Sequence, residues 1–343
     1  MISESIRRII DGHHLSRAES EALFGEVMNG SASEVQKTAL LIGLRMKGET
    51  IEEITGAAAA MRRRVIALDV DGENLVDTCG TGGDGKGTLN VSTIAAIVAA
   101  AAGVTIAKHG NRAVSSSCGS ADVLMALGVR IDLDARQMKT VLDRVGLSFL
   151  FAPRLHPATA AVSAVRKELG LRTIFNLLGP LTNPAGAARQ VVGVYAAELV
   201  PKIGEVLRAL GTRHALVVHS EEGLDEISPS APTEVCEVKR GEVPRSFRIT
   251  PEEIGLSGAS SSLDLQGGDA ATNARLAREI LEGSPGAGRD AVLANAGAAI
   301  YVGGVTPSIR EGVDVARKAI DEGRALAKLE ELIAATVEEA AAE

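Results

Sequence analysis

The pattern of hydrophobic and polar positions changes near residue 70. The first 68 residues carry only helical signals, and a Ser or Thr followed three residues later by Glu marks helix starts at Ser16, Ser31 and Thr50. From about residue 74, short apolar runs alternate with amphipathic segments. This alternation predicts a largely parallel sheet that is covered by helices on both faces.

The alternating part of the chain predicts strands and helices in turn. Strands are expected at residues 75–79, 104–108, 147–151, 191–195 and 214–219. Helices are expected at about 92–102, 120–127, 135–145, 198–210 and 270–282. Residues 158–190 interrupt the alternation with a helix ending near Gly170 and the segment NLLGPLTNP, whose prolines and glycine predict a stiff crossing between domains. A later helix is expected to begin with Thr306 as N-cap and Pro307 in its first turn.

The strongest local signal is the stretch LVDTCGTGGDGKGTLNVST at residues 75–93. Five glycines within eight positions let backbone N–H groups turn towards one centre, and the helix that follows adds donors and partial positive charge. Such a concavity suits phosphate. Two nucleotide-binding motifs match the letters but are rejected. The next strand ends in the basic pair Lys108-His109, where a dinucleotide fold needs an acid, and Gly87 stands where a P-loop needs Ser or Thr.

A second candidate site is the loop KHGNRAVSS at residues 108–116. It gathers two cations, an amide and several hydroxyls after a buried strand. Lys108 and Arg112 supply charge for phosphate oxygens, and the serines supply hydroxyl and backbone donors. A solvated polar turn in which Ser120 caps the next helix is the alternative. The position beside the glycine-rich loop favours the phosphate interpretation.

An acidic turn at residues 221–226 follows the strand HALVVH. Carboxylates repel a nearby polyphosphate unless a divalent cation lies between them, and Mg²⁺ held by one or two carboxylates would resolve this conflict. Asp84 and Ser92 offer further oxygen donors near the first loop. An ordinary acidic surface turn is the alternative, and the turn taken alone favours it.

Arg166 lies in the segment FAPRLHPATAAVSAVRKELG, on a helix expected to face the glycine-rich loop across the domain boundary. A guanidinium in that place could bind a carboxylate through two hydrogen bonds. The spacing of residues alone favours an exposed helical arginine. Both interpretations stay open at this point.

Composition limits the classes of function. The chain has 343 residues, of which 45% are hydrophobic and 23% charged, and its formal net charge is −8. These values fit a soluble chain of two domains and argue against nucleic acid or an anionic membrane as the main partner. Three cysteines without metal spacing indicate a reduced, cytoplasmic environment. The most apolar stretch, residues 94–107, is too short to cross a bilayer.

Seven segments together resemble the anthranilate phosphoribosyltransferase family. They are DTCGTGGDG, NVST, KHGNRAVSS, HPA, VRKELGLRTIFNLLGPLTNP, LDEIS and NAGAAIYVGG. The resemblance implies an α/β fold shared with pyrimidine nucleoside phosphorylases. It comprises a small all-helical domain at residues 1–70, completed by a later helical segment at about 165–190, and a larger domain at residues 71–343 with a mostly parallel sheet flanked by helices. The resemblance also implies Mg²⁺ as cofactor and a homodimer formed through the helical domain.

The family's site residues carry over position by position. Those for 5-phosphoribosyl diphosphate are Gly80, Gly83, Asp84, Thr88, Asn90, Val91, Ser92, Thr93, Lys108, His109, Gly110, Asn111, Arg112, Ala113, Val114, Ser115, Ser116 and Ser120. Those for anthranilate are Gly80, Asn111, His156 and Arg166. Those for Mg²⁺ are Ser92, Asp225 and Glu226, and those expected in catalysis are Lys108, Asn111 and Arg166. The chain departs from the family pattern at Arg154, Leu155 and Thr159, near the side where anthranilate would enter.

The implied reaction joins the amine of anthranilate to C1 of 5-phosphoribosyl diphosphate and expels diphosphate, in tryptophan biosynthesis. Departure from C1 with oxocarbenium character makes positioning and charge stabilisation the main work of the enzyme. Two alternatives remain. A pyrimidine nucleoside phosphorylase shares the fold but would not need Asp225 and Glu226. An inactive relative that binds nucleic acid would want a basic face, which the net charge disfavours.

Overall fold

The computed structural model describes residues 1–113 and 117–342. Its first helices are α1 (Ile2–Ile10), α2 (Arg17–Met28), α3 (Glu34–Lys47) and α4 (Ile51–Arg62). The starts predicted at Ser16 and Thr50 are confirmed, each with a capping box. The start predicted at Ser31 is wrong, because the hydroxyl of Ser33 caps α3 by accepting from the N–H of Gln36 at 3.2 Å. Two capping patterns overlap in this stretch, and Gln can complete a capping box as well as Glu.

A seven-stranded sheet forms the centre of the remaining chain. Its strands are β1 (Val76–Asp77), β2 (Ile106–Gly110), β3 (Leu147–Phe151), β4 (Arg189–Gly193), β5 (His214–Ser220), β6 (Thr233–Lys239) and β7 (Arg245–Ile249). They lie in the order β3-β2-β1-β4-β5-β6-β7. Strands β1 to β5 are parallel, whereas β6 and β7 are antiparallel. The predicted parallel sheet is confirmed, and the β6–β7 hairpin was not predicted.

Helices cover the sheet on both faces. They are α5 (Val91–Ala101), α6 (Ser120–Leu127), α7 (Ala135–Val145), α8 (Ala152–Leu155), α9 (Ala160–Leu169), α10 (Ile174–Leu178), α11 (Leu199–Ala209), α12 (Ala270–Leu281), α13 (Ala287–Gly303), α14 (Ile309–Asp321) and α15 (Arg324–Ala341). The N-cap predicted at Thr306 is wrong. Ser308 caps α14 by accepting from the N–H of Glu311 at 3.2 Å, and the Thr306 hydroxyl donates to the Ser308 carbonyl. Within the described residues, no helix is both long enough and apolar enough to span a bilayer.

Two clusters of buried apolar side chains lie on opposite faces of the sheet. On β5, Leu216 and Val218 belong to the cluster that contains α5 and α13, whereas Ala215 and Val217 belong to the other. This second cluster continues through α11 into the N-terminal helices, and α9 and α10 pack against α2, α3 and α4. One apolar core therefore crosses residue 70, and the division into domains stays a prediction.

The carboxyl ends of β1, β2, β4 and β5 meet at one edge because these strands are parallel. The glycine-rich loop follows β1, and the acidic turn follows β5. The crossing segment after α10 is fixed to the same edge, since the side-chain amide of Asn183 donates to Asp77 Oδ2 and to the Ala107 carbonyl, both at 2.8 Å. The sheet thus brings three separate segments of the chain together.

Candidate active site

The glycine-rich loop has a backbone that favours glycine at four positions. Gly82, Gly83, Gly85 and Gly87 have φ angles of +62°, +83°, +76° and +65°. The N–H groups of Gly83 and Gly85 donate to no acceptor in the part of the chain that the structure describes. The loop therefore presents unpaired backbone donors, which is the arrangement expected of a phosphate site.

The end of β4 supports this loop. The N–H of Thr81 donates to the Gly193 carbonyl at 2.8 Å, and the N–H of Tyr195 donates to Thr81 Oγ1 at 3.2 Å. A Cβ atom on Gly80 would lie 3.0 Å from the Gly193 carbonyl oxygen, and one on Gly193 would lie 1.6 Å from that of Asp225. The loop, β4 and the acidic turn therefore meet at Gly193. Sequence reasoning missed this residue, whose signal is a glycine at the end of an apolar strand.

The predicted metal ligands Asp225 and Glu226 line a cavity together with Ser92. Both residues are half-buried, and this burial raises the pKa of Asp225 to about 7 and that of Glu226 to about 8. The neighbouring Asp84 raises the pKa of Asp225 further, and Asp225 in turn raises that of Glu226. Glu226 Oε1 also accepts the N–H of Ser92 at 3.1 Å. Asp225 and Glu226 therefore differ from the acids of an ordinary surface turn, whereas Glu221 is exposed as such acids are.

The acidic turn is held in place by Asn295 of α13, which sequence reasoning missed. Asn295 Oδ1 accepts the N–H of Ile227 at 3.0 Å, and its Nδ2 donates to the Ile227 carbonyl at 3.0 Å. The side chain is 3% exposed, so both bonds form away from bulk water. The segment NAGAAIYVGG signals a close-packed helix, but nothing in it shows which distant residue the amide contacts.

Lys108 places a cation directly behind the wall of this cavity, against the lining residues Thr78 and Ser92. Its side chain is 3% exposed, and Nζ donates to the Thr78 carbonyl at 3.2 Å and to Thr78 Oγ1 at 3.1 Å. Nζ also lies 3.4 Å from Ser92 Oγ. Two residues later, a Cβ on Gly110 would lie 2.3 Å from Ser120 Oγ, so the loop after β2 turns tightly there. Lys108 and the acid pair are thus brought together as the sequence predicted.

Two further predicted residues of this loop lie at the protein surface. Asn111 and Arg112 are exposed, and Asp122 accepts from Arg112 Nη1 at 3.3 Å and from the N–H of Ala113 at 2.9 Å. Ser120 is the first residue of α6 and not its cap, and its hydroxyl donates to the Asn111 carbonyl at 3.2 Å. The predicted residues Val114, Ser115 and Ser116 lie outside the described residues.

The start of α5 contacts α12 and the segment before it, neither of which was predicted to take part in the site. The predicted residues around that start are Thr88, Asn90, Val91 and Thr93. The N–H of Leu89 donates to the Leu265 carbonyl at 2.9 Å, and Asn273 Nδ2 donates to Asn90 Oδ1 at 2.9 Å. The Thr93 hydroxyl is buried and has no hydrogen-bond partner within the described residues. Residues far apart in sequence therefore enclose the glycine-rich loop.

His109 and His156 form a buried, neutral pair. Their Nε2 atoms are 3.2 Å apart, and His109 Nδ1 lies 3.1 Å from the Gly179 carbonyl oxygen. Burial lowers the pKa of His109 to about 3 and that of His156 to about 4. Asp77, Cys79 and His109 bring potential metal ligands within 4.8 Å of one another. Asp77 Oδ1 already accepts the His109 N–H at 3.0 Å, and both ring nitrogens of His109 have contacts, so this group is structural.

Arg166 is half-buried on α9 and is not the exposed helical arginine of the alternative interpretation. Its guanidinium carbon lies 5.4 Å from the centre of the Phe175 ring, and burial lowers the pKa of the side chain. Within residues 1–113 and 117–342, the guanidinium makes no hydrogen bond or ion pair. A partly buried cation without an anion is a suitable partner for a carboxylate ligand.

The departures from the family pattern lie beside His156. The guanidinium of Arg154 donates to the Asp132 carbonyl at 2.9 Å, and Leu155 is buried. The hydroxyl of Thr159 donates to the His156 carbonyl at 2.8 Å. All three side chains thus have structural contacts of their own.

Comparisons with known proteins agree with this architecture. The family model described as "Glycosyl transferase family, a/b domain" matches residues 72–326, and "Glycosyl transferase family, helical bundle domain" matches residues 3–65. Anthranilate phosphoribosyltransferases from Anaeromyxobacter sp. (strain K) and Pelotomaculum thermopropionicum are 54% and 50% identical. These matches cover 98% and 97% of this chain, and 99% and 96% of the relatives.

Solved structures give the same result. The anthranilate phosphoribosyltransferase from Thermus thermophilus superposes with a TM-score of 0.91 at 44% identity, covering 97% of this chain and 99% of that one. The enzyme from Saccharomyces cerevisiae, in complex with PRPP and Mg, superposes with a TM-score of 0.89 at 27% identity, covering 98% of each chain. The predicted family and fold class are confirmed, and the chain belongs to the anthranilate phosphoribosyltransferase family.

Proposed function

We propose that this chain transfers the phosphoribosyl group of 5-phosphoribosyl diphosphate to the amine of anthranilate. The products are N-(5-phosphoribosyl)anthranilate and diphosphate, and the reaction belongs to tryptophan biosynthesis. The observation that carries the proposal is one cavity edge where unpaired backbone donors, a buried lysine and a carboxylate pair converge. A phosphorylase that uses inorganic phosphate gives no reason for crowding Asp225 and Glu226 at that edge.

The diphosphate group is expected to lie on the glycine-rich loop. The unpaired N–H groups of Gly83 and Gly85 face no internal acceptor within the described residues, so the leaving group would meet donors that need no rearrangement. Lys108 adds a fixed positive charge at the same wall. These groups act on the charge that develops as the bond from C1 to diphosphate breaks.

The acid residues of the cavity fit Mg²⁺. Asp84 Oδ2 is buried without a hydrogen-bond partner within the described residues, and Asp84 lies against Asp225. Carboxylate and hydroxyl oxygens are the ligands that this ion prefers. Asp225, Glu226 and Ser92 would therefore hold it, and bound Mg²⁺ supplies charge neutralisation for the diphosphate. The S. cerevisiae relative solved with PRPP and Mg supports this choice of ion.

Anthranilate is expected to bind with its carboxylate at Arg166 and its ring beside His156 and Asn111. Arg166 offers a guanidinium that has no anion to displace in the part of the chain that the structure describes. The aryl amine of anthranilate is largely unprotonated at neutral pH, so the attack on C1 needs no strong general base. A structure of the S. cerevisiae relative in complex with 4-fluoroanthranilate supports an anthranilate site in this fold.

We further propose a cytoplasmic homodimer that forms through the N-terminal helices. Ile10 of α1 and Val35 and Met46 of α3 are 65%, 79% and 82% exposed, and α1 packs against α3. Such exposed apolar side chains on adjacent helices are typical of an association surface. Light scattering after gel filtration tests the dimer, and a monomer at micromolar concentration would contradict it.

The test of the reaction is the fluorescence of anthranilate mixed with purified protein and 5-phosphoribosyl diphosphate, with and without Mg²⁺. We expect a decay that requires both protein and metal. A constant signal from folded protein would contradict the proposed reaction. Phosphorolysis of pyrimidine nucleosides would then be measured, because that activity is the alternative on the same fold.

A further inference from the structure

We propose that Arg172 is a positioning residue that connects the helical part of the chain to the diphosphate-binding shape of the glycine-rich loop. The inference rests on the proposed function of that loop. Arg172 stands in the short connection between α9, which ends in the left-handed Gly170, and α10, which begins after Thr173. Arg166 lies on α9, so one stretch of chain touches both proposed substrate sites.

The guanidinium of Arg172 contacts the loop directly. Its Nη2 donates to the Gly83 carbonyl, and a Cβ on Gly83 would lie 3.4 Å from Arg172 Nε. Gly83 has a φ of +83°, so the bonded carbonyl belongs to a residue whose backbone other residue types rarely adopt. Because the peptide unit is planar and trans, holding the Gly83 carbonyl towards Arg172 directs the N–H of Asp84 away from Arg172.

The same guanidinium packs on Tyr195, with 4.4 Å between its carbon and the ring centre. Tyr195 in turn donates its backbone N–H to Thr81 at 3.2 Å. Arg172 and Tyr195 therefore hold positions 81 and 83 of the loop from the outside. Neither contact uses the groups that would face the diphosphate.

The backbone of Arg172 continues the connection to the helical part. Its carbonyl accepts from the guanidinium of Arg45 on α3. The turn between α3 and α4 also contacts α11, since Lys202 of α11 donates to the Glu49 carbonyl at 3.0 Å. A movement of α3 relative to the sheet would therefore pull on Arg172 and, through it, on Gly83.

Kinetics give the first test. We expect Arg172→Ala to raise KM for 5-phosphoribosyl diphosphate about tenfold, with little change in kcat or in KM for anthranilate, since one hydrogen bond and one cation–π contact are lost. Arg172→Lys should resemble Arg172→Ala, because lysine lacks the planar fork that spans ring and carbonyl. Arg245→Ala removes a comparable cation–π contact, with Phe247 on β7 at 4.9 Å, and is the matched control that should resemble the wild type. Restoration of KM by Arg172→Lys would overturn the proposal, because general positive charge would then suffice.

Tyrosine fluorescence gives a test that needs no turnover. The chain has no tryptophan and two tyrosines, so a Tyr301→Phe variant leaves Tyr195 as the only emitter. We expect inorganic diphosphate with Mg²⁺ to reduce acrylamide quenching of Tyr195 in this variant. Adding Arg172→Ala should increase quenching and shift the response to about tenfold higher diphosphate concentration.

The outcomes separate the two proposals. An equal response to diphosphate with and without Arg172 would overturn the role of Arg172 and leave the diphosphate site intact. No response in Tyr301→Phe would overturn both the diphosphate site and the role of Arg172. Circular dichroism melting of each variant identifies any loss of folding.

Discussion

The acidic turn and the loop after β2 lie at the same edge of the sheet but are held in different ways. The acidic turn is fixed by the buried amide of Asn295, which bonds both backbone groups of Ile227. The other loop begins with two buried residues, Lys108 and His109, and then exposes Asn111 and Arg112. The difference indicates a preorganised wall where a metal would need fixed ligands, opposite a wall that can adapt as substrate enters.

The largest effect should follow from removing the negative charges of the acidic turn. Asp225→Asn with Glu226→Gln removes two anionic oxygen ligands, so we expect kcat/KM for 5-phosphoribosyl diphosphate to fall by about 100-fold or more. The measurement is a Mg²⁺ titration of the initial rate. The control is Glu221→Gln, which neutralises an exposed acid of the same turn. Glu221 pairs with Arg248 of β7. Unchanged rates across the titration would remove these two residues from the metal site.

Arg166→Ala tests a partner outside both walls. A charge-assisted hydrogen bond contributes about 1.5–3 kcal/mol, so we expect KM for anthranilate to rise by roughly one to two decades. KM for 5-phosphoribosyl diphosphate should change much less. An unaltered KM for anthranilate would place its carboxylate elsewhere.

Asn295→Ala removes the amide that supports the acidic turn and leaves the proposed metal ligands unchanged. We expect Mn²⁺ affinity, followed by electron paramagnetic resonance, to fall about tenfold, because support of a ligand typically contributes that much. Asn273→Ala removes an amide from the side of the glycine-rich loop, where it bonds Asn90. That variant should leave Mn²⁺ affinity unchanged. Equal losses in both variants would show that the acidic turn is not supported independently of the segment around Asn90.

The smallest effect is on stability against pH. His109 and His156 are neutral when folded, with pKa values of about 3 and 4, but take up protons below about pH 6.5 when unfolded. At these two residues the unfolded chain thus binds more protons, so the pair on its own lowers the free energy of unfolding as pH drops from 6.5 towards 4. Asp77, Asp225 and Glu226, with pKa values raised to about 6, 7 and 8, act in the opposite direction because the folded chain binds their protons first.

Urea unfolding of the wild type and of His156→Gln at pH 7 and pH 5 isolates the contribution of this residue. Relative to the wild type, we expect the free energy of unfolding of His156→Gln to rise as pH drops below 6.5, by up to about 1.4 kcal/mol per pH unit. The same pH dependence in both proteins would mean that His156 is protonated in the folded protein.

Local sequence patterns predicted the parallel sheet and the glycine-rich loop because both follow from short-range rules. Apolar runs mark buried strands, and clustered glycines mark a backbone with positive φ. Lys108 and the acidic turn were found because charged residues stand at strand ends, whereas the choice of Asp225 and Glu226 as metal ligands came from the family resemblance. The β6–β7 hairpin and the helix starts at Ser33 and Ser308 were missed, since competing local signals fit as well.

The supporting residues could not be found from sequence in the same way. Arg172 bonds a residue 89 positions away, and Asn295 bonds one 68 positions away. Such contacts depend on how helices pack on the sheet, and no local pattern contains that information. The roles of the individual site residues stay predictions until the variants are measured.

The close packing at Gly193 restricts which residues can replace it. The missing side chain leaves room for the Asp225 carbonyl, so a single methyl group would push the acidic turn away from the glycine-rich loop. In a saturation library, position 193 should therefore accept glycine alone under selection for tryptophan prototrophy. Gly179 has open space around it and an ordinary negative φ, and it should accept alanine. The absence of a side chain at position 193 thus sets how closely the acidic turn and the glycine-rich loop can approach each other.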